Sequence, residues 1–158
     1  MVPEPRCPLP RPAPPSTFRV EAVTEATVED WRHVHNVVIP TSPLTTDQVR
    51  ERVGRYLLSA AYDGNVLVGC ATVRPPDEDG NVTVIARVLP EHRRQGYGEK
   101  LFSEAMKVAR GLGGSGFETV VLASNPDGLR FALDHGFVEV SRYLLPGDEE
   151  PFIALRLA

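Results

Sequence analysis

The 158 residues are enough for one ordinary domain with a sizeable core and leave little room for a second. A formal charge of -4, with no block of five lysines or arginines, sets the chain against nucleic-acid partners that depend on phosphate neutralisation. Cys7 and Cys70 form neither a disulfide framework nor a metal-ligand spacing, no apolar run approaches the length of a membrane span and no secretory leader is evident, so a cytoplasmic protein without metal or membrane is expected.

Residues 1–16 carry seven prolines and almost no aromatic or β-branched side chains, too little apolar surface to offset the cost of ordering them. A disordered arm is expected there, and a single domain over residues 17–158. Residues 18–23 then read as a short strand. Thr27-x-x-Asp30 resembles a capping box opening a helix to about Asn36, and Pro40 and Pro43 break the chain. Thr45-x-x-Gln48 is a second capping box, followed by Val49, Val53 and Leu57 on one face of a second helix.

Residues 58–62 and 66–74 predict two strands joined by the Asp63-Gly64-Asn65 turn, and residues 82–89 a third. After Pro90 comes Glu91-His92-Arg93-Arg94-Gln95-Gly96-Tyr97-Gly98. Leu101, Phe102, Ala105, Met106, Ala109 and Leu112 follow at helical spacing until Gly111, Gly113 and Gly114 stop the helix. Residues 118–123 read as a strand, Asn125-Pro126 as the N-cap and first position of a helix to about Asp134, and residues 138–144 and 152–157 as two final strands around Pro146-Gly147-Asp148. The order βααβββαβαββ predicts an α/β protein with a mixed sheet and helices on both faces, because strand-helix-strand units need parallel crossovers.

The segment Arg93 to Gly98 sits where a strand ends and a helix begins. Unpaired backbone N–H groups and the positive end of a helix dipole converge at such a place, and glycines at 96 and 98 let a backbone approach an anion closely. It is neither a dinucleotide fingerprint, which needs a third glycine, nor a Walker loop, which needs G-K-[ST]. On its own it reads equally as a tight turn with solvated arginines.

Val88-Leu89-Pro90-Glu91-His92-Arg93-Arg94-Gln95-Gly96-Tyr97-Gly98 matches the pattern V-x-P-x-x-R-x-x-G-x-G, and Asn125 with Gly136-Phe137 matches a second, spaced signature. On these residues the chain resembles the GNAT (N-acetyltransferase) superfamily, over most of residues 17–158. The resemblance implies a mostly antiparallel central sheet splayed between its fourth and fifth strands, with acetyl-CoA as co-substrate. Arg93, Arg94, Gln95, Gly96, Tyr97 and Gly98 would surround the pyrophosphate. Ala86, Arg87 and Val88 would pair their backbone with the pantetheine arm, and an N–H near Val88 would polarise the thioester carbonyl. Asn125 would touch the pantetheine near the thioester, serve as a helix N-cap, or do both. The acceptor implied is a small-molecule or peptide amine, acylated directly in a ternary complex; its identity is not legible. Similar proteins are often homodimers.

Two positions depart from the family pattern. Ala132 stands where many members carry a tyrosine acid, and Val82 where others carry a glutamate base. The catalytic residues therefore stay unassigned, and a coenzyme A-binding sensor or interaction module without catalysis is the competing reading. His33 and His35, two apart on a helix, cannot both face one metal and read as surface or packing residues. His135 reads as an exposed helix-end residue, Trp31 as core. Tyr62, Tyr97 and Tyr143 remain candidate acids. The resemblance also places the segment 39–44 and the last hairpin turn beside the amine, where Asp148, Glu149 and Glu150 would either attract a cationic substrate or form a solvated turn.

Overall fold

The computed structural model describes residues 17–158, so the expected disordered arm lies outside the described residues. The elements run β1 (Phe18–Ala22), α1 (Val28–Val38), α2 (Thr46–Arg55), β2 (Leu57–Asp63), β3 (Val66–Arg74), β4 (Asn81–Val88), α3 (Tyr97–Arg110), β5 (Gly116–Leu122), α4 (Pro126–Asp134), β6 (Phe137–Tyr143) and β7 (Phe152–Leu157), with a 3-10 turn at Pro90–His92. The order is the one expected.

The capping box at Thr45 forms: its hydroxyl accepts from the Gln48 N–H at 3.2 Å while the Gln48 side chain accepts from the Thr45 N–H at 2.8 Å. The one expected at Thr27 does not. With φ -120° and ψ 4°, Thr27 lacks the extended geometry of a cap, and its hydroxyl accepts from the Thr24 N–H instead. Asp30 is used elsewhere, accepting from the Tyr62 hydroxyl at 2.6 Å.

One seven-stranded sheet has the order β1-β2-β3-β4-β5-β7-β6. Every pairing is antiparallel except β4 with β5. Trp31, Val34 and Val49 from α1 and α2 pack over Leu58, Ala60 and Cys70 on one face. Leu101, Ala105, Met106 and Ala109 of α3 pack over Ala61, Val68, Val82 and Val84 on the other, where Ala132 of α4 meets Phe137, Ile153 and Leu155. Trp31 is fully buried, and its indole N–H donates to the Ala71 carbonyl at 3.2 Å.

The parallel pair positions the site. β4 and β5 are joined only through Asn81↔Gly116, Val82↔Phe117 and Thr83↔Glu118. Beyond that point β5 follows β7, from Glu118↔Arg156 to Leu122↔Phe152, while β4 stays on β3 as far as Gly69↔Val88. The sheet therefore opens along residues 84–88. Gly69 keeps this end closed on the β3 side, because a Cβ there would lie 2.4 Å from the Arg87 carbonyl oxygen.

Candidate functional site

At the open seam, strand β4 presents one row of backbone N–H and C=O groups that no neighbouring strand takes up, an arrangement an extended ligand can join as a further strand. The chain then turns through the 3-10 segment into a loop with two left-handed residues, Arg94 at φ 66° and Gly96 at φ 83°, the latter capping α3. Arg94 is the only described non-glycine residue with positive φ, a conformation that costs energy and clusters at binding sites. Left-handed residues at a helix start turn successive N–H groups inward, as in anion-binding nests. The Arg93 Nε donates to the Val88 carbonyl at 3.2 Å and its guanidinium lies 3.7 Å from Asp127, so this side chain ties the loop to the strand end and to α4.

A cavity of about 340 Å³ lies between these elements. Ala86, Arg87, Val88, Arg93, Arg94, Gly96, Tyr97, Gly98 and Asn125 all line it, whereas Gln95 does not and is exposed. The Asn125 side chain accepts from the Gly128 N–H at 3.1 Å, which makes it the N-cap of α4 as well as part of the cavity wall.

A second cavity, about 470 Å³, lies on the α1 face and shares Ile39, Ile85, Arg87 and Val120 with the first. The seam thus connects both faces of the sheet. The segment after α1 and the β6–β7 turn meet above this cavity, where the Ser42 hydroxyl donates to Asp148 at 3.0 Å. Of the three acids on that turn, Glu149 and Glu150 do not line this cavity. Asp148 is the one carboxylate on the cavity wall, already bonded to Ser42, while Arg52, Arg74 and Arg87 all line it. Burial and then the neighbouring Arg74 and Arg52 charges lower the Arg87 pKa to about 10, with only the Cys70 thiol and Tyr143 pulling the other way.

His35, 4 % exposed, sits beneath this wall. Its Nε2 lies 3.0 Å from the Ser42 carbonyl, which requires a proton on that nitrogen and leaves Nδ1 to accept from Arg87 at 3.4 Å. Burial, then the Arg87 charge, lowers its pKa to about 4. Sequence reasoning missed Arg52, Arg74 and the structural part played by His35. The available signal was parity: Arg74 and Arg87 interrupt apolar strands at positions in step with Cys70 and Ile85, on the face toward α1.

Among the candidate acids, the Tyr97 hydroxyl donates to the Asp63 carboxylate and that of Tyr62 to Asp30, both away from the seam. Tyr143 lines the second cavity, its ring stacked 5.7 Å from Phe152. Val82 is fully buried below the seam against α3 and offers no base, and Ala132 is buried in the wall of the first cavity. His33 is exposed; His135, expected to be exposed, is half-buried, with Nδ1 on the Phe131 carbonyl and Nε2 2.8 Å from Glu99. Among the described residues no cluster of His, Cys, Asp or Glu is placed to hold a metal, and no helix is long and apolar enough to cross a membrane.

Solved structures share this architecture. Ard1 from Thermoplasma volcanium superposes with a TM-score of 0.76 at 14 % identity, covering 89 % of this chain and 96 % of that one. A proposed acetyltransferase from Salmonella typhimurium, solved with its cofactor acetyl-CoA, gives 0.72 at 17 % identity over 89 % and 93 %. The ribosomal-protein-S18-alanine N-acetyltransferase from Escherichia coli gives 0.71 at 19 % over 89 % and 92 %. At these identities the likeness establishes the fold. Comparison with curated protein sequences gave no match. The model of the acetyltransferase (GNAT) family matches residues 20–137, and with the splayed seam and the two joined cavities in place, the chain belongs to that family.

Proposed function

We propose that the protein transfers the acetyl group of acetyl-CoA directly to an amine, the two bound together from opposite faces of the sheet. The observation that carries this reading is the seam, through which the two cavities share Ile39, Ile85, Arg87 and Val120. The residues present suit coenzyme A: a left-handed loop at a helix start for the pyrophosphate, and an unpaired β4 edge for the amide-bearing arm. Bound acetyl-CoA supplies an acetyl thioester. The α3 N-terminus and loop hold its diphosphate, the β4 backbone orients the arm, and free N–H groups near Val88 polarise the carbonyl.

Transfer forms the N–C bond and breaks the C–S bond, and the amine loses one proton. No described side chain at the seam is suited to take it. His35 is neutral but already donates from Nε2 and accepts at Nδ1, and its pKa of about 4 makes it a weak base. The amine therefore enters as its neutral fraction or passes the proton to water. An alkylammonium titrates near about 10.4, so the rate should climb into alkaline pH with no plateau near neutrality. The leaving thiolate, with a conjugate acid near about 8.5, needs little protonation. Changing Tyr143 to Phe should thus alter KM for the amine and leave kcat within tenfold; a fall of about a hundredfold, the scale of general-acid catalysis, would assign it that role.

The test is thiol release from acetyl-CoA across a broad panel of amines. Amine-dependent release supports transfer. Binding of acetyl-CoA without release for any amine would identify a coenzyme A-binding module instead.

A further inference from the structure

We infer that the second cavity is built for an amine that also carries an oxyanion, a carboxylate or phosphate-type group, held by Arg74 and Arg52 with Arg87 facing the seam. This rests on the reading of that cavity as the acceptor site. Three arginines line this cavity, and among the described residues none of them is within ion-pair distance of a carboxylate. The exposed Arg19, Arg50, Arg142 and Arg156, by contrast, each pair with one. Arg52, Arg74 and Arg87 thus stand on the cavity wall without a carboxylate partner.

Arg74 makes the case most directly. Its Nε is buried without a hydrogen-bond partner, and its guanidinium carbon lies over the Tyr56 ring, 5.1 Å from the centroid, a contact that satisfies no N–H donor. Buried donors in folded proteins are almost always satisfied, so an orphan on a cavity wall indicates a group that arrives with a ligand. Burial and then the Arg74 charge also push the Arg52 pKa down, so the cluster is held together against its own repulsion. Planar guanidinium groups match carboxylate and phosphate oxygens, which would relieve that repulsion and satisfy Nε at once.

The register gives the acceptor a polarity. Arg74 lies opposite Thr83, four residues before Arg87 on β4 and about 13 Å away along the strand. Arg87 belongs to both cavities, so the amine lies at its end, near the seam, with the oxyanion toward Arg74 and Arg52. A simple alkylamine would leave the cluster unanswered.

Two measurements on the full-length protein test this. In the first, thiol release is compared for amino acids against their carboxamides and for ethanolamine phosphate against ethanolamine, which also separates carboxylate from phosphate. At least one anionic member should exceed its neutral counterpart tenfold or more in kcat/KM, with the advantage shrinking below threefold in Arg74→Gln through KM. In the second, inorganic phosphate is titrated into protein saturated with coenzyme A, so that the pyrophosphate loop is already filled. Phosphate should bind the wild type and bind Arg74→Gln and Arg52→Gln at least tenfold more weakly, while both variants keep their melting temperature and coenzyme A affinity. If no amine releases thiol yet phosphate binding depends on Arg74, the oxyanion site stands and the transfer reading falls. Neutral amines used as well as anionic ones, or phosphate binding indifferent to both arginines, overturns the inference.

Discussion

His35 is folded away from water with a cation beside it and no acid, so it should mark the pH dependence of stability. The unfolded chain binds this proton near pH 6.5, the folded chain only near pH 4. The unfolded state thus holds more protons between those values, and stability is full above the upper one and declines as pH falls through the window, by on the order of 3 kcal/mol in all. The raised pKa of His135, where Glu99 and the Phe131 carbonyl outweigh burial, works in the opposite sense, as a contribution lost when pH rises. Melting curves from pH 7 to 4.5 should therefore fall for the wild type and flatten for His35→Gln; equal slopes would remove His35 as the cause. Gly96 gives a second residue-scale prediction. At φ 83° any side chain is strained, and Gly96→Val should weaken acetyl-CoA binding more than tenfold, about 1.4 kcal/mol, by calorimetry. A Cβ on Gly98 would meet the Phe131 ring at an ordinary 3.4 Å, so Gly98→Ala should fold normally, and any loss of affinity there reports crowding of the ligand.

Strand β4 depends on a residue outside itself. Gly69→Ala would press a methyl onto the Arg87 carbonyl at 2.4 Å, at the end where the sheet must stay open. The expected cost is about 1–3 kcal/mol, or several degrees of melting temperature, together with weaker acetyl-CoA binding. A variant with unchanged stability and affinity would mean that β4 can shift freely. The elements themselves were legible because their signals are local: the Thr45 capping box, the Asn125-Pro126 helix start, the Asp63-Gly64-Asn65 turn and the glycine loop each lie within a few residues. Thr27-x-x-Asp30 carried the same kind of signal and failed, because Asp30 bonds Tyr62, 32 residues away. The arginine wall was legible only in part, through the strand parity of Arg74 and Arg87, for a related reason. Arg52, Arg74 and Arg87 come from α2, β3 and β4, and only the packing of α1 and α2 over the sheet makes them neighbours. The bond from Ser42 to Asp148 was out of reach of the sequence in the same way, because Ser42 arrives from a loop 106 residues away.

For the molecule as a whole, the described residues 17–158 supply three buried apolar clusters, and the proline-rich composition of residues 1–16 offers little to add to them. Their removal should leave melting temperature and acetyl-CoA affinity unchanged; a drop of several degrees would show that they pack on the domain. The seam has a kinetic consequence. Ile39, Ile85, Arg87 and Val120 wall both cavities, so whatever fills the first also floors the second. An amine arriving before the thioester would meet a hole where its reaction partner belongs, and one arriving afterwards a closed surface. Turnover should then follow a compulsory order, acetyl-CoA on first and free coenzyme A off last, with coenzyme A inhibiting competitively against acetyl-CoA and non-competitively against the amine.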